Sequence, residues 1–167
     1  MAGEGMKTLV VSVDRSKEKR TIYALVVVNY DNLKELREKT SWLKHIAELR
    51  KQEKRNYISK FPQRFALIKP LLEYVWITPY FDDLYNQMSK FENNARVLII
   101  DDVVLSKKLR EYQDRKNVFK ESIAKKRWEF RHIVLLTDNI AYISREIYEK
   151  IPNLTALKKE LRRKGIL

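Results

Sequence analysis

The stretch Thr8–Val28, TLVVSVDRSKEKRTIYALVVV, sets the architecture of the chain. Its ends, Thr8–Val13 (TLVVSV) and Thr21–Val28 (TIYALVVV), are strand-length runs rich in β-branched and aliphatic residues. Only the polar link Asp14–Arg20 separates them, too short for a helical crossover. The two runs are therefore expected to pair as an antiparallel hairpin, with Asp14 at the end of the first strand.

Downstream, the apolar pattern changes period. Over Asp31–Lys60, Leu33, Leu36, Leu43, Ile46 and Leu49 recur at three- and four-residue steps, predicting helix with breaks. Pro62 and Pro70 punctuate the next segment, and Glu73–Thr78 (EYVWIT) reads as a strand unless Leu67–Trp76 is a buried helix. Phe81–Phe91 suits a short helix, with Asp82 and Asp83 complementing its dipole. Arg96–Ile100 (RVLII) and His132–Thr137 (HIVLLT) read as buried strands. Ser106 is expected to N-cap a helix running towards Arg127, and Asp138 to lie at the start of another. Pro152–Asn153 opens a last helix that Gly165 ends. A hairpin with alternating helices and continuous apolar strands after it implies an α/β fold with a mostly parallel, doubly covered sheet, in a single domain over residues 1–167.

Absences narrow the function. The chain has no cysteine, which excludes disulfides, thiol catalysis and cysteine-based zinc sites. Its only three glycines are Gly3, Gly5 and Gly165, so no interior loop can form a phosphate-binding P-loop, a dinucleotide fingerprint or a nucleophile elbow. Met1–Lys7 runs into Thr8–Val13 with no small-residue cleavage site after it, and no apolar run approaches the ~18–20 residues of a membrane span. A cytoplasmic protein is expected. The absence of cysteine and the density of Lys, Arg and Glu suit a thermophile.

Lys plus Arg number 35 against 22 Asp plus Glu, a net charge of +13. Such a field attracts phosphate backbones through counterion release, so nucleic acid, DNA or RNA, is the expected partner. The candidate contacts are Lys17, Arg20, Lys107, Lys108, Lys125, Lys126 and Arg127. Tyr57, Tyr80, Tyr112 and Trp128 are either core aromatics or platforms for unpaired bases. The apolar face of Asp31–Lys60 is a candidate homodimer surface.

Three expected strands end in aspartate: Asp14, the pair Asp101–Asp102, and Asp138. Ligands of open α/β sheets sit at strand carboxyl ends, and strands about 4.8 Å apart bring such carboxylates within reach of one or two divalent cations. All-oxygen ligands suit Mg²⁺ or Mn²⁺, and such a site serves phosphodiester hydrolysis. Asp101 shares a strand face with Val97 and Ile99, Asp102 with Leu98 and Ile100, and either is a candidate. The alternative is that these aspartates are turn and cap residues of a non-catalytic nucleic-acid-binding or assembly protein.

The segments VSVDRSKEKRTIYALVVV, RVLIIDD and LLTDNIAYISREIYEK, in that order, resemble the RNase H-like superfamily. More narrowly, they resemble a nuclease-like branch with an Asp-Glu-Ser-Gly strand end and an Ala-Asp-x-x-Ala helix start. The resemblance implies a three-layer arrangement and a metal-dependent nuclease site of Asp14, Asp101 or Asp102, and Asp138. Arg15 stands where that branch has Glu, Lys17 where it has Gly, and Thr137 where it has Ala. The third strand implied directly after the hairpin has no counterpart there, where the sequence is helical, and no helix-borne Glu ligand is placed. RVLIIDDVV also resembles the ribose-binding strand and loop of phosphoribosyltransferases, although LSKKL comes next where those proteins have a glycine-rich loop.

Overall fold

The computed structural model describes residues 7–167, so Gly3 and Gly5 lie outside the described residues. Strands β1 (Leu9–Lys17) and β2 (Thr21–Asn29) form the antiparallel hairpin, pairing from Leu9↔Asn29 to Lys17↔Thr21. The first strand does not end at Asp14: the ladder carries the polar residues Asp14–Lys17 along with it, and the turn is confined to residues 18–20. Helices α1 (Leu33–Lys39) and α2 (Lys51–Ala66) come next, and α2 continues through Pro62 rather than stopping there. Strand β3 (Leu72–Thr78) then pairs antiparallel with β2. It supplies the third strand of the hairpin sheet, displaced in sequence by two helices.

After α3 (Phe81–Ser89), strand β4 (Ala95–Ile100) pairs parallel with β1. Helix α4 (Asp102–Lys107) and a 3₁₀ turn lead to the short β5 (Val118–Lys120), parallel to β4. The chain closes with α5 (Glu121–Ala124), α6 (Arg131–Lys150) and α7 (Leu154–Arg163). Sheet order is β3-β2-β1-β4-β5, and only β2 runs against the other strands.

Two expectations fail between Asp101 and Lys150. Ser106 lies inside α4 instead of capping a long helix; the cap is Asp101, whose side chain accepts from the backbone N–H groups of Val103 and Val104. The run His132–Thr137 is helical, within the first turns of α6, so Asp138 sits in mid-helix and neither ends a strand nor caps a helix. The physical reason is burial. α6 lies across the sheet with Ile133, Val134, Leu136, Ile140, Ala141 and Ile143 all buried, and a helix enclosed on several sides loses the amphipathic period that distinguishes it from a buried strand.

Alternation along the strands divides the core into two layers. Val10, Ile22, Ala24, Val26, Val28, Ile77, Val97 and Ile99 face α1, α2, α6 and α7. Val11, Val13, Leu25, Val27, Leu98 and Ile100 face α3 and α4. Each of the larger side chains contributes about 1.5–3 kcal/mol on burial. Leu33, Leu36, Leu43 and Ile46 are buried in the first layer, so the face offered to a second copy is used within the chain itself. Among the described residues no helix is long and apolar enough to cross a membrane.

Candidate metal centre

The register of three parallel strands builds the site. Val13 pairs with Ile100 and Ile100 with Lys120, forming one row across β1, β4 and β5. The residue that follows each of these is acidic: Asp14 within β1, Asp101 just past β4 and Glu121 at the start of α5. Strands stand about 4.8 Å apart, so this second row places three carboxylates side by side. One oxygen from each lies within 4.8 Å of the other two. The backbone N–H of Asp101 donates to Val13 O at 3.0 Å, carrying the β1–β4 ladder up to the site.

The face is fixed by alternation. Val10, Ser12, Asp14 and Ser16 point towards α6, where Thr137 Oγ1 donates to Ser12 Oγ at 2.9 Å and Arg145 Nε donates to Ser16 Oγ at 2.7 Å. Asp14 is thus held beneath α6 and is only 4% exposed. Its Oδ1 accepts from the Arg15 N–H at 2.7 Å, while buried Oδ2 meets no donor. Asp138 borders the row from α6, and its Oδ2 likewise has no hydrogen-bond donor, His45 Nδ1 standing 3.6 Å away. Asp102 turns elsewhere. Its Oδ1 accepts from the Ser122 N–H at 3.0 Å and its Oδ2 from the Ser122 hydroxyl, which anchors α5 beside Glu121.

These carboxylates hold protons more tightly than exposed ones. Burial, and then the negative charges of Glu121 and Asp138, raises the pKa of Asp14 well above the ordinary value. Burial also raises Glu121, from 4.5 to about 6, against a lowering influence of the adjacent Asp14 carboxyl. Asp138 is raised by burial, partly offset by His45, Asp14 and Lys125. Crowded carboxylates with oxygens that meet no donor are the donor set of a hard divalent cation, and the residues present fit one.

Beside Asp138 lies a depression of about 700 Å³ lined by Arg37, His45, Glu48, Lys125, Lys126, Trp128, Arg131, His132 and Leu135. Lys125 and Lys126 are therefore next to the site. Arg127 lies with its guanidinium 5.0 Å from the Phe119 ring. Lys17 and Arg20 are exposed at the hairpin tip, where Arg20 stands 6.0 Å from the Tyr148 ring. Lys107 and Lys108 are exposed at the end of α4, on the other side of the sheet, with Lys108 5.0 Å from the Phe81 ring. Of the aromatic candidates, Tyr57 and Tyr112 are buried, whereas Tyr80 and Trp128 are exposed. Glu121 escapes a reading of the sequence because β5 is only three residues long and carries no apolar run of its own. Arg37 and Arg131 join the depression from separate helices, which no local motif announces.

A mixed sheet in the order 3-2-1-4-5, flanked by helices on both faces, is an RNase H-like fold. The chain is similar to the crystal structure of ribonuclease H2 from Pyrococcus horikoshii OT3, with a TM-score of 0.52 at 15% identity over 94% of this chain and 77% of that one. The Aquifex aeolicus RNase H3 structure gives a TM-score of 0.42 at 16% identity, over 98% of this chain and 62% of that one. No protein-family model and no curated protein matches the sequence.

Proposed function

We propose that the chain is a cytoplasmic, divalent-cation-dependent nuclease. One observation carries the reading: the adjacent carboxylates Asp14, Asp101 and Glu121, with Asp138 beside them, lie close to a basic depression on an RNase H-like fold, His45 on its wall standing 3.6 Å from Asp138. The neighbouring solved structure is that of a ribonuclease, which supports a phosphodiester substrate.

In this reading Asp14, Asp101 and Glu121 hold Mg²⁺ or Mn²⁺, and Asp138 supplies a fourth carboxylate from α6. A cation so held provides Lewis acidity towards a phosphodiester oxygen and lowers the pKa of attacking water. The protein's own contribution is placement. The β1–β4–β5 register fixes the spacing of the acids, Asp102 positions Glu121 through Ser122, and burial of Asp14 keeps bulk water from its free oxygen. Lys125 and Lys126, with Lys17, Arg20, Lys107, Lys108 and Arg127 further out, neutralise the phosphates of DNA or RNA.

Incubation of the full chain with end-labelled DNA and RNA oligonucleotides in Mg²⁺ or Mn²⁺ tests the proposal. Cleavage is expected, with loss on adding EDTA and in Asp14→Asn. Cleavage by Asp14→Asn at the wild-type rate, or none by the wild type with either cation, overturns the catalytic reading.

A further inference from the structure

One wall of the basic depression is out of character with a merely solvated surface. Trp128 is 71% exposed, yet its ring is not loose: the guanidinium carbon of Arg37 lies 4.3 Å from the ring centroid. Trp128 and Arg37 line the 700 Å³ depression and also a second one of about 300 Å³, shared with Tyr30, Lys34 and Glu129. They form a ridge between two hollows. A cation stacked on an indole restricts its orientation, and a large aromatic held rigid but open is a surface prepared for a flat partner.

The surroundings identify that partner's chemistry. In the larger hollow the cationic side chains Arg37, Lys125, Lys126 and Arg131 outnumber the single acid, Glu48. The hollow borders the carboxylates: His45 on its wall is 3.6 Å from Asp138, and the charge of Lys125 acts on the same group. We propose that the Arg37–Trp128 ridge stacks an unpaired base of a single nucleic-acid strand, whose phosphates track Lys125, Lys126 and Arg131 towards Asp138. In a duplex, both faces of each base are covered by its neighbours, so an indole platform selects strands that are single or locally unpaired. Stacking also tolerates any base, because each offers a π face. The inference deepens the nuclease reading and depends on it for the fate of the bound strand, though not for the binding itself.

The experiment measures binding of the full chain in EDTA, where cleavage plays no part. Three fluorescently labelled 12-mers are compared by anisotropy: oligothymidylate, a strand of the same length made of abasic residues, and a blunt duplex. The wild type is expected to prefer oligothymidylate to the abasic strand. Trp128→Ala should weaken oligothymidylate binding roughly 5- to 150-fold, the range for loss of one stacked base, and leave the abasic strand and the duplex unchanged. Trp128→Phe should retain most of the preference. Lys125→Ala with Lys126→Ala should weaken all three ligands and flatten the salt dependence. Equal wild-type affinity for oligothymidylate and abasic strand overturns the platform, as does Trp128→Ala binding oligothymidylate like the wild type. Failure of the nuclease reading looks different: binding is intact, and no cleavage occurs with either cation.

Discussion

Glu121→Gln removes one negative charge from a crowded, largely buried row while keeping the side-chain shape. Burial lifts the Glu121 pKa from 4.5 to about 6. At 1.36 kcal/mol per pH unit, this corresponds to about 2 kcal/mol of folding free energy. A carboxyl raised in the folded state favours folding while protonated, and that advantage disappears as pH rises from 4.5 through about 6. In metal-free buffer at pH 8 the Gln variant should therefore be more stable than the wild type by about 2 kcal/mol, a rise of several degrees in Tm. Relief of the charge acting on Asp14 adds in the same direction. Below about pH 4.5 the two proteins should converge. Urea and thermal unfolding of both, in EDTA at pH 4 and pH 8, give the comparison. Excess Mn²⁺ at pH 8 should then narrow or reverse the gap, because only the wild type retains the full ligand set. A Gln variant no more stable than the wild type at pH 8 would refute the reasoning, since the row would then carry no electrostatic cost.

Two further outcomes separate structural from chemical roles. Asp101 both faces the row and caps α4, so Asp101→Asn should lose cleavage but keep the cap, whereas Asp101→Ala should lose both and unfold about 1 kcal/mol more easily than the Asn variant in urea titrations. Arg145 is 2% exposed and ties Ser16 to Glu149 at 2.7 Å each, so Arg145→Ala should cost about 1–3 kcal/mol in the same assay by removing both hydrogen bonds, while Glu149 keeps the Lys19 and Arg20 backbone N–H donors.

Local physics decides which of these features the sequence discloses. The hairpin is readable because two β-branched runs stand too close for any crossover, and β4 because VLII is an unbroken apolar run. The end of β1 is not, because Asp14–Lys17 looks like a loop and only the cross-strand ladder with Thr21–Ala24 keeps it extended. HIVLLT reads as a strand but folds as a helix because tertiary burial removes the polar face of α6. The acidic row is a property of register, not of motif. Asp14 and Asp101 can be nominated from strand-end chemistry, but Glu121 becomes visible only when a three-residue strand pairs beside Ile100. Parity alone leaves Asp101 and Asp102 equivalent, until the contacts of Ser12 and Ser16 define which face of the sheet α6 covers.

The length of α6 has a dynamic consequence. Thr137 engages Ser12 and Arg145, two turns later, engages Ser16, so helix and strand behave like a ruler pinned at both ends with Asp14 between the pins. Sliding either element would break both pins together, which leaves Asp14 and Asp138 little room to drift relative to each other. Glu121 has no such bracing. It rides on a four-residue helix, moored chiefly by Ser122 to Asp102. Compliance should therefore concentrate on that side, and amide exchange there should be faster than along β1.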